Sequence, residues 1–196
     1  MLRDALVGLM CERGWDAVNV QMLCERANVG RSTFYTHFAD KEELLVSGFD
    51  DLRRMMIAQR APGTGRIGFV RGLIEHAYEN KRLFRALVGR RSGQVVQNRF
   101  RLLVLELTKD ELEGLGVPPA QLDAVTRYVG GAFTELLIWS LDKPKPIDAA
   151  ELEQLFQELT AGVLDRVSAG GGGAGRAGAD GRGSSRRGGA GASAAR

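Results

Sequence analysis

Apolar residues recur at three- and four-residue spacing along most of the 196-residue chain, the period of helices that bury one face. Leu2, Ala5, Leu6, Leu9 and Met10 form the stripe of a first helix, which Gly14 ends. A second helix runs from about Val20 to Ala27 behind an N-cap at Asn19. A third, Arg31 to Phe38, places Phe34 and Phe38 on one side and Ser32 and Thr36 on the other, flanked by Thr33 and Tyr35. Asp40 caps a long fourth helix from Lys41 to about Gln59, with Leu45, Phe49, Leu52 and Met56 along it. Ala61-Pro62-Gly63 breaks the pattern and is a candidate domain boundary.

Later helical stripes are Ile67, Val70, Ile74 and Ala77, then Leu83 to Val88, then Val96, Phe100, Leu103 and Leu107. After a Gly-Pro break at 114–119 come Leu122, Val125, Val129, Phe133 and Leu136, running on to Trp139. A Lys143-Pro144-Lys145-Pro146 loop precedes the last stripe of Leu152, Leu155, Leu159 and Val163. No alternating pattern competes, so the predicted fold is all-α with about nine helices. Three helices form an N-terminal domain, and the long fourth joins them to a C-terminal helical bundle.

Two short helices meeting at Asn28 and Gly30, with a third starting directly afterwards, have the layout of a helix-turn-helix DNA reader. Asn and Gly tolerate the left-handed turn or open helix start needed there. The outer face of the second short helix is small, hydroxylated and aromatic. Such groups can meet base edges in a major groove, and the Tyr35 hydroxyl can reach a phosphate.

The run from Ala27 to Leu44, ANVGRSTFYTHFADKEEL, resembles the signature of TetR-type bacterial transcriptional regulators, approximately A-G-V-S-x-G-T-[LF]-Y-x-H-F-x-[SD]-K-E-x-L. Glu12-Arg13-Gly14-Trp15 resembles that family's turn after its first helix, so the likeness runs from about Ala5 to Leu45. Asn28 and Ser32 stand where the pattern has glycines, and Gly30 where it has a serine cap. Ser32 adds a hydroxyl on the groove side and so alters which bases are read. The resemblance implies DNA contacts from Asn19, Gln21, Arg31, Ser32 and Thr33, and from Tyr35, Thr36, His37 and Lys41. Family members usually carry several residues before the first helix. Here only Arg3 is available, so either the start lies upstream of Met1 or that contact is weak.

Charge is segregated beneath a net +3: −1 over residues 1–65, +7 over 66–101, −7 over 102–167 and +4 over 168–196. The reading segment is thus not basic overall, and its affinity must come from a few placed cations, helix N-termini and a dimer. No apolar run reaches the ~18 residues of a membrane span and no signal-peptide pattern is present, which predicts a cytoplasmic protein without membrane contact. Cys11 and Cys24 read as buried reduced thiols, with a redox-sensing pair as the alternative. Two histidines without ligand spacing predict no metal site and no cofactor, and no phosphate loop or nucleophile elbow suggests catalysis.

The organisation expected is a reading domain over 1–45, a helical regulatory and dimerisation domain over 46–167, and a disordered tail over 168–196 with 11 glycines and five arginines. The last two helices are apolar around much of their circumference. In the resembled family the corresponding pair packs against its twin, which implies a homodimer interface from Leu122, Val129, Gly130, Phe133 and Leu137 with Leu152, Leu155, Phe156, Leu159 and Val163. An unknown small-molecule effector would lie among Phe84, Leu87, Phe100, Leu103, Phe133 and Trp139, with His76, Arg85 or Arg90 as its polar contact. The alternative for the basic segment is a solvated face paired with Glu106, Asp110, Glu111 and Glu113.

The function expected is a dimeric regulator, most often a repressor in the resembled family, that binds a palindromic double-stranded operator and is released by the effector. Two other readings stay open: a helical ligand-binding or scaffold dimer with a degenerate helix-turn-helix, and a nucleic-acid chaperone acting through the tail.

Overall fold

In a computed structural model, which describes residues 1–60, 66–88 and 93–170, the periodic stripes wind into helices. They are α1 (Leu2–Arg13), α2 (Val20–Ala27), α3 (Arg31–His37), α4 (Lys41–Ala58), α5 (Phe69–Glu79), α6 (Lys81–Val88), α7 (Gly93–Gly114), α8 (Pro119–Asp142) and α9 (Ala149–Gly170). Among the described residues there is no strand. The Ala61-Pro62-Gly63 break, Arg90, Arg91, the Leu87 side chain and the tail beyond Gly170 lie outside the described residues. Helix α9 itself continues three residues past the expected start of that tail.

Local chemistry explains the helix ends in the N-terminal domain. The Asn19 side chain accepts the Met22 N–H at 3.0 Å, the N-cap bond that starts α2. Asn28 ends α2 at φ 52, ψ 49, and the Val29 N–H returns to the Cys24 carbonyl at 3.0 Å. Asp40 accepts the Glu43 N–H at 2.8 Å, while the Glu43 carboxylate takes the Ala39 N–H, so both acids stabilise the positive end of α4. Helix α3 is one residue shorter than the sequence suggests. Phe38 is its extended C-cap at φ −143 and is half-buried, leaving Phe34 as the one fully buried side chain of α3.

Helix α4 packs against α1 on one side and against α5 and α7 on the other, while α6 bridges α1, α7 and α8. The apolar interior is correspondingly continuous, from Leu6 and Leu23 through Phe49 and Met56 to Phe100, Phe133 and Phe156. Burying a large apolar side chain stabilises by about 1.5–3 kcal/mol, so this shared interior is what fixes the reading head to the body. Gly93 opens α7 at φ 72, and a Cβ there would come within 3.0 Å of Trp15 Cδ1. The N-terminus of α7 therefore lies directly against the α1–α2 connection.

Charge pairing differs from expectation. Among the described residues, the acids of α7 make no ion pair with Lys81, Arg82, Arg85, Arg99 or Arg101 of the basic segment. Arg53 pairs with Asp110 and Glu106, Arg60 with Glu111 at 3.0 Å, and Lys109 with Glu113. The reason is packing: α7 lies beside α4, so its acidic edge meets Arg53 of α4 and Arg60 just past the end of α4. Before the basic segment, Arg66 pairs with Asp165 and Arg71 with Glu75 and Glu153; within it, Arg85 donates to the Leu141 carbonyl from Nε at 2.9 Å and Nη2 at 2.6 Å. Arg85 thus closes the carbonyl end of α8.

The two C-terminal helices also divide their apolar residues differently from the sequence reading. Val129, Gly130, Phe133, Leu137, Leu152 and Phe156, expected at a dimer interface, are buried within the protomer. Gly130 serves α7: a Cβ there would stand 3.1 Å from both Leu105 Cδ2 and Thr108 Oγ1. Of the expected set, Leu159 faces outward at 61% exposure and Leu122, Leu155 and Val163 are half-buried; Tyr128 and Trp139, not in that set, are also exposed. Period alone shows that α8 and α9 carry apolar residues on two sides; it does not show which side meets α7 and α5.

Candidate nucleic-acid interface

Helix α3 is held from beneath by one ring. Phe34 is 0% exposed, packs edge-to-face with Tyr35 at 5.4 Å between centroids, and lies 5.8 Å from Phe38. Every other residue of α3 is exposed: Arg31, Ser32, Thr33, Tyr35, Thr36 and His37. The Thr36 hydroxyl donates to the Ser32 carbonyl at 2.9 Å, which leaves its oxygen lone pairs facing out. Tyr35 is 50% exposed and its hydroxyl has no hydrogen-bond partner among the described residues. Arg31 makes no ion pair among the described residues, and its guanidinium lies 6.0 Å from the Tyr35 centroid. The result is a rigidly seated helix presenting hydroxyls, one phenol and one guanidinium, a set able to contact base edges and phosphates.

Beside α3, a notch of about 580 Å³ is lined by Gln21, Cys24, Glu25, Asn28, Val29, Gly30 and Arg31. Gln21 donates to Glu25 at 2.9 Å across one turn of α2. Sequence reasoning missed Glu25 as a member of this surface, although its four-residue spacing from Gln21 was a signal for the pair. The Glu25 carboxylate disfavours a phosphate beside it, and it can accept from a cytosine amino group. Asn19, at the same end of α2, already gives its oxygen to the cap and keeps its amide N–H2 available.

Lys41 occupies a different place from the other predicted contacts. Its ammonium donates to the Trp15 carbonyl at 3.0 Å and the Val18 carbonyl at 2.8 Å, and sits 4.4 Å from the Trp15 ring centroid. It clamps the α1–α2 connection to the start of α4. Arg26 is likewise engaged inside the head, forked onto Glu12 from both terminal nitrogens, and its guanidinium holds the Glu12 carboxyl below the usual carboxylate range.

Among the described residues, the predicted effector residues are not gathered in one cavity; the Leu87 side chain and Arg90 lie outside those residues. Phe84, Phe100 and Phe133 are fully buried, Phe84 and Phe100 packing edge-to-face at 5.7 Å, and Leu103 is buried with them. Trp139 lies on the outside, 45% exposed, beneath the Lys143 ammonium at 3.7 Å. His76 and Phe84 are brought together at the wall of a separate cavity, between the head and the body. Cys24 is buried and Cys11 half-buried, both free; burial pushes the Cys11 thiol up, with Arg82 opposing. Among the described residues no cluster of three or more His, Cys, Asp or Glu could hold a metal, and no helix is long and apolar enough to cross a membrane.

Comparison with known proteins gives this arrangement its context. Residues 2–47 match the profile of bacterial regulatory proteins of the tetR family. No curated protein sequence matches the chain. The fold is similar to that of a TetR transcriptional regulator from Streptococcus agalactiae, at 22% identity over 81% of this chain and 90% of that one, with a TM-score of 0.62. It is also similar to the fatty acid degradation regulator FadR from Bacillus halodurans, at 18% identity over 82% and 96% of the two chains and a TM-score of 0.58. The dihydroxyacetone kinase operon activator DhaS matches at 18% identity over 86% and 94%, again with a TM-score of 0.58.

Proposed function

Because residues 2–47 match the profile of the tetR family of bacterial regulatory proteins, we propose that the chain is a regulator of that kind: a homodimeric, ligand-responsive transcriptional repressor of a near-palindromic operator. It works in the cytoplasm, where its DNA is, and by binding rather than catalysis. The observation that carries this reading is α3: one buried anchor, Phe34, and an outer face that no other element of the described protomer covers. Such a face costs nothing to desolvate from protein and is free to enter a groove. Ser32, Thr33 and Thr36 are its base-facing groups, Tyr35, Arg31 and His37 its phosphate-facing groups, and Asn19 and Gln21 reach the backbone from α2.

One such helix reads too few base pairs to be specific, and two must lie about 34 Å apart, or a multiple of it, to share one face of the duplex. The outward side of α8 and α9 supplies the pairing surface: Tyr128 and Leu159 are 58% and 61% exposed, while Gly131 and Gly162 have nothing within 4 Å of an added Cβ. Small residues beside large exposed apolar ones suit a helix pair meeting its twin. Effector binding then acts through α4, which is attached to both parts of the molecule, and it releases DNA only by preferring an arrangement in which the two α3 helices no longer match their half-sites.

The test is titration of DNA flanking the protein's own coding region at moderate salt, with random competitor, beside Tyr35→Ala and Leu159→Glu variants. Tyr35→Ala should lose specific retention while keeping the helical fold, at a stability cost of about 0.5–1.5 kcal/mol for the lost ring contact with Phe34, and Leu159→Glu should sediment as a monomer and bind weakly. Equal, salt-sensitive binding of all DNA by all three proteins would refute the reading.

A further inference from the structure

A cavity of about 120 Å³ lies where the reading head meets the body, walled by α1 and α4 on one side and by α5 and α6 on the other. Its lining is apolar except for His76 and Arg3, and Arg3 is already paired with Asp51 and hydrogen-bonded to Ser47 at 3.2 Å. Engineered apolar cavities of about 150 Å³ take up benzene, so a space of this size, open on one side, admits a single ring.

Gly48 shows that the gap is open on the α4 side. It stands in the interior of α4, where glycine costs about 1 kcal/mol relative to alanine. Neither usual reason for a helical glycine applies: its φ is not positive, and nothing lies within 4 Å of the Cβ it lacks. It lines the cavity, so its missing side chain is part of the empty volume.

On the opposite wall is His76, half-buried, with its ring edge-to-face against Phe84 at 5.7 Å. Its Nδ1 lies 3.5 Å from the Asn80 amide, a long contact, and the other ring nitrogen has no partner among the described residues. Burial lowers the His76 pKa, with Glu79 opposing, so the ring is a neutral donor and acceptor at neutral pH. The ring nitrogen without a protein partner can therefore take a hydrogen bond from a ligand hydroxyl.

We propose that this cavity binds a small monocyclic aromatic alcohol of phenol size, its ring in the space beside Gly48 and against Phe84, its hydroxyl hydrogen-bonded to His76. Such a ligand touches α1 and α4 of the head together with α5 and α6 of the body. To the extent that its binding favours one placement of the head over others, operator affinity changes by the same factor that the operator changes ligand affinity. This regulatory consequence rests on the DNA-binding function proposed above; the binding site itself does not.

The test is calorimetric titration of the full chain with phenol and, separately, with toluene. Phenol should saturate one site per chain and bind at least tenfold tighter than toluene. His76→Phe should erase that preference while still taking up toluene. Gly48→Leu should abolish both, and Gly48→Met, whose flexible side chain fills irregular gaps, provides a second blocked cavity should leucine disturb folding. Absence of saturation in the wild type, or phenol binding undiminished in folded Gly48→Leu or Gly48→Met, would overturn the site. Operator affinity is then compared with and without saturating phenol, and indifference would remove the coupling. A protein that binds phenol but no DNA at all would refute the regulator instead, leaving the site standing.

Discussion

Alanine introduced separately at Gly130 and Gly131 converts two neighbouring glycines of α8 into a measurement of how closely α7 lies. Both positions are in a helix interior, so each substitution gains about 1 kcal/mol from helix propensity. At Gly131 nothing lies within 4 Å of the new methyl group, and the gain should be kept in full. At Gly130 the methyl meets Leu105 Cδ2 and Thr108 Oγ1, each at 3.1 Å. Leu105 can swing aside, but the Thr108 hydroxyl is fixed by its bond to the Val104 carbonyl at 2.7 Å, in a fully buried position. Overpacking of this kind costs about 1–3 kcal/mol, so Gly130→Ala should range from neutral to about 2 kcal/mol less stable than wild type. The two variants should differ by about 1–3 kcal/mol, with each kcal/mol worth about 2–4 °C in a chain of this size. Urea unfolding followed by helical circular dichroism measures the difference, at two protein concentrations tenfold apart so that any effect of Gly131→Ala on self-association shows as concentration dependence. Equal stabilisation by both alanines would refute the close approach of α7 and α8.

Two further outcomes are expected. Lys41→Met removes two charge-assisted hydrogen bonds and an ammonium–indole contact from the head, and should lower its stability by about 2 kcal/mol, measurable by hydrogen exchange of α2 amides; unchanged exchange would show that the ammonium is dispensable there. For His76, whose folded pKa is depressed below 6.5 by burial, the unfolded chain binds the proton more tightly, so stability rises with pH. Its contribution is intact above about pH 6.5 and is lost as the pH falls from there through the lower folded pKa. His76→Gln should flatten the urea midpoint against pH over that range, and an unchanged slope would assign the pH dependence elsewhere.

The reading head was largely legible because its information is local. Asn19, Asn28 and Asp40 act within three or four residues of themselves, and the Phe34 and Tyr35 faces follow from helical period alone. Partners far apart in sequence were not legible. Nothing near Lys41 indicates that its ammonium will find the carbonyls of Trp15 and Val18, and charge alone gave the acids of α7 to the wrong arginines, because complementarity does not say which helices are neighbours. The same holds for Arg85, whose target carbonyl at Leu141 is 56 residues away. Helices α8 and α9 defeated the pattern differently: apolar on two sides, they left the inward stripe undetermined until α5 and α7 were in place.

The contact between Gly93 and Trp15 has an optical consequence. The chain has two tryptophans, and their surroundings are opposite. Trp15 is 3% exposed, with the Lys41 ammonium over its ring and the first residue of α7 at its edge. Trp139 is 45% exposed, with the Lys143 ammonium above it. Emission from the buried indole belongs at the blue end of the spectrum and is shielded from iodide, whereas the exposed one emits further to the red and is open to collisional quenching. With Trp139 replaced by phenylalanine, the remaining fluorophore sits on the seam between head and body, so any rearrangement there registers as a colour change without a label.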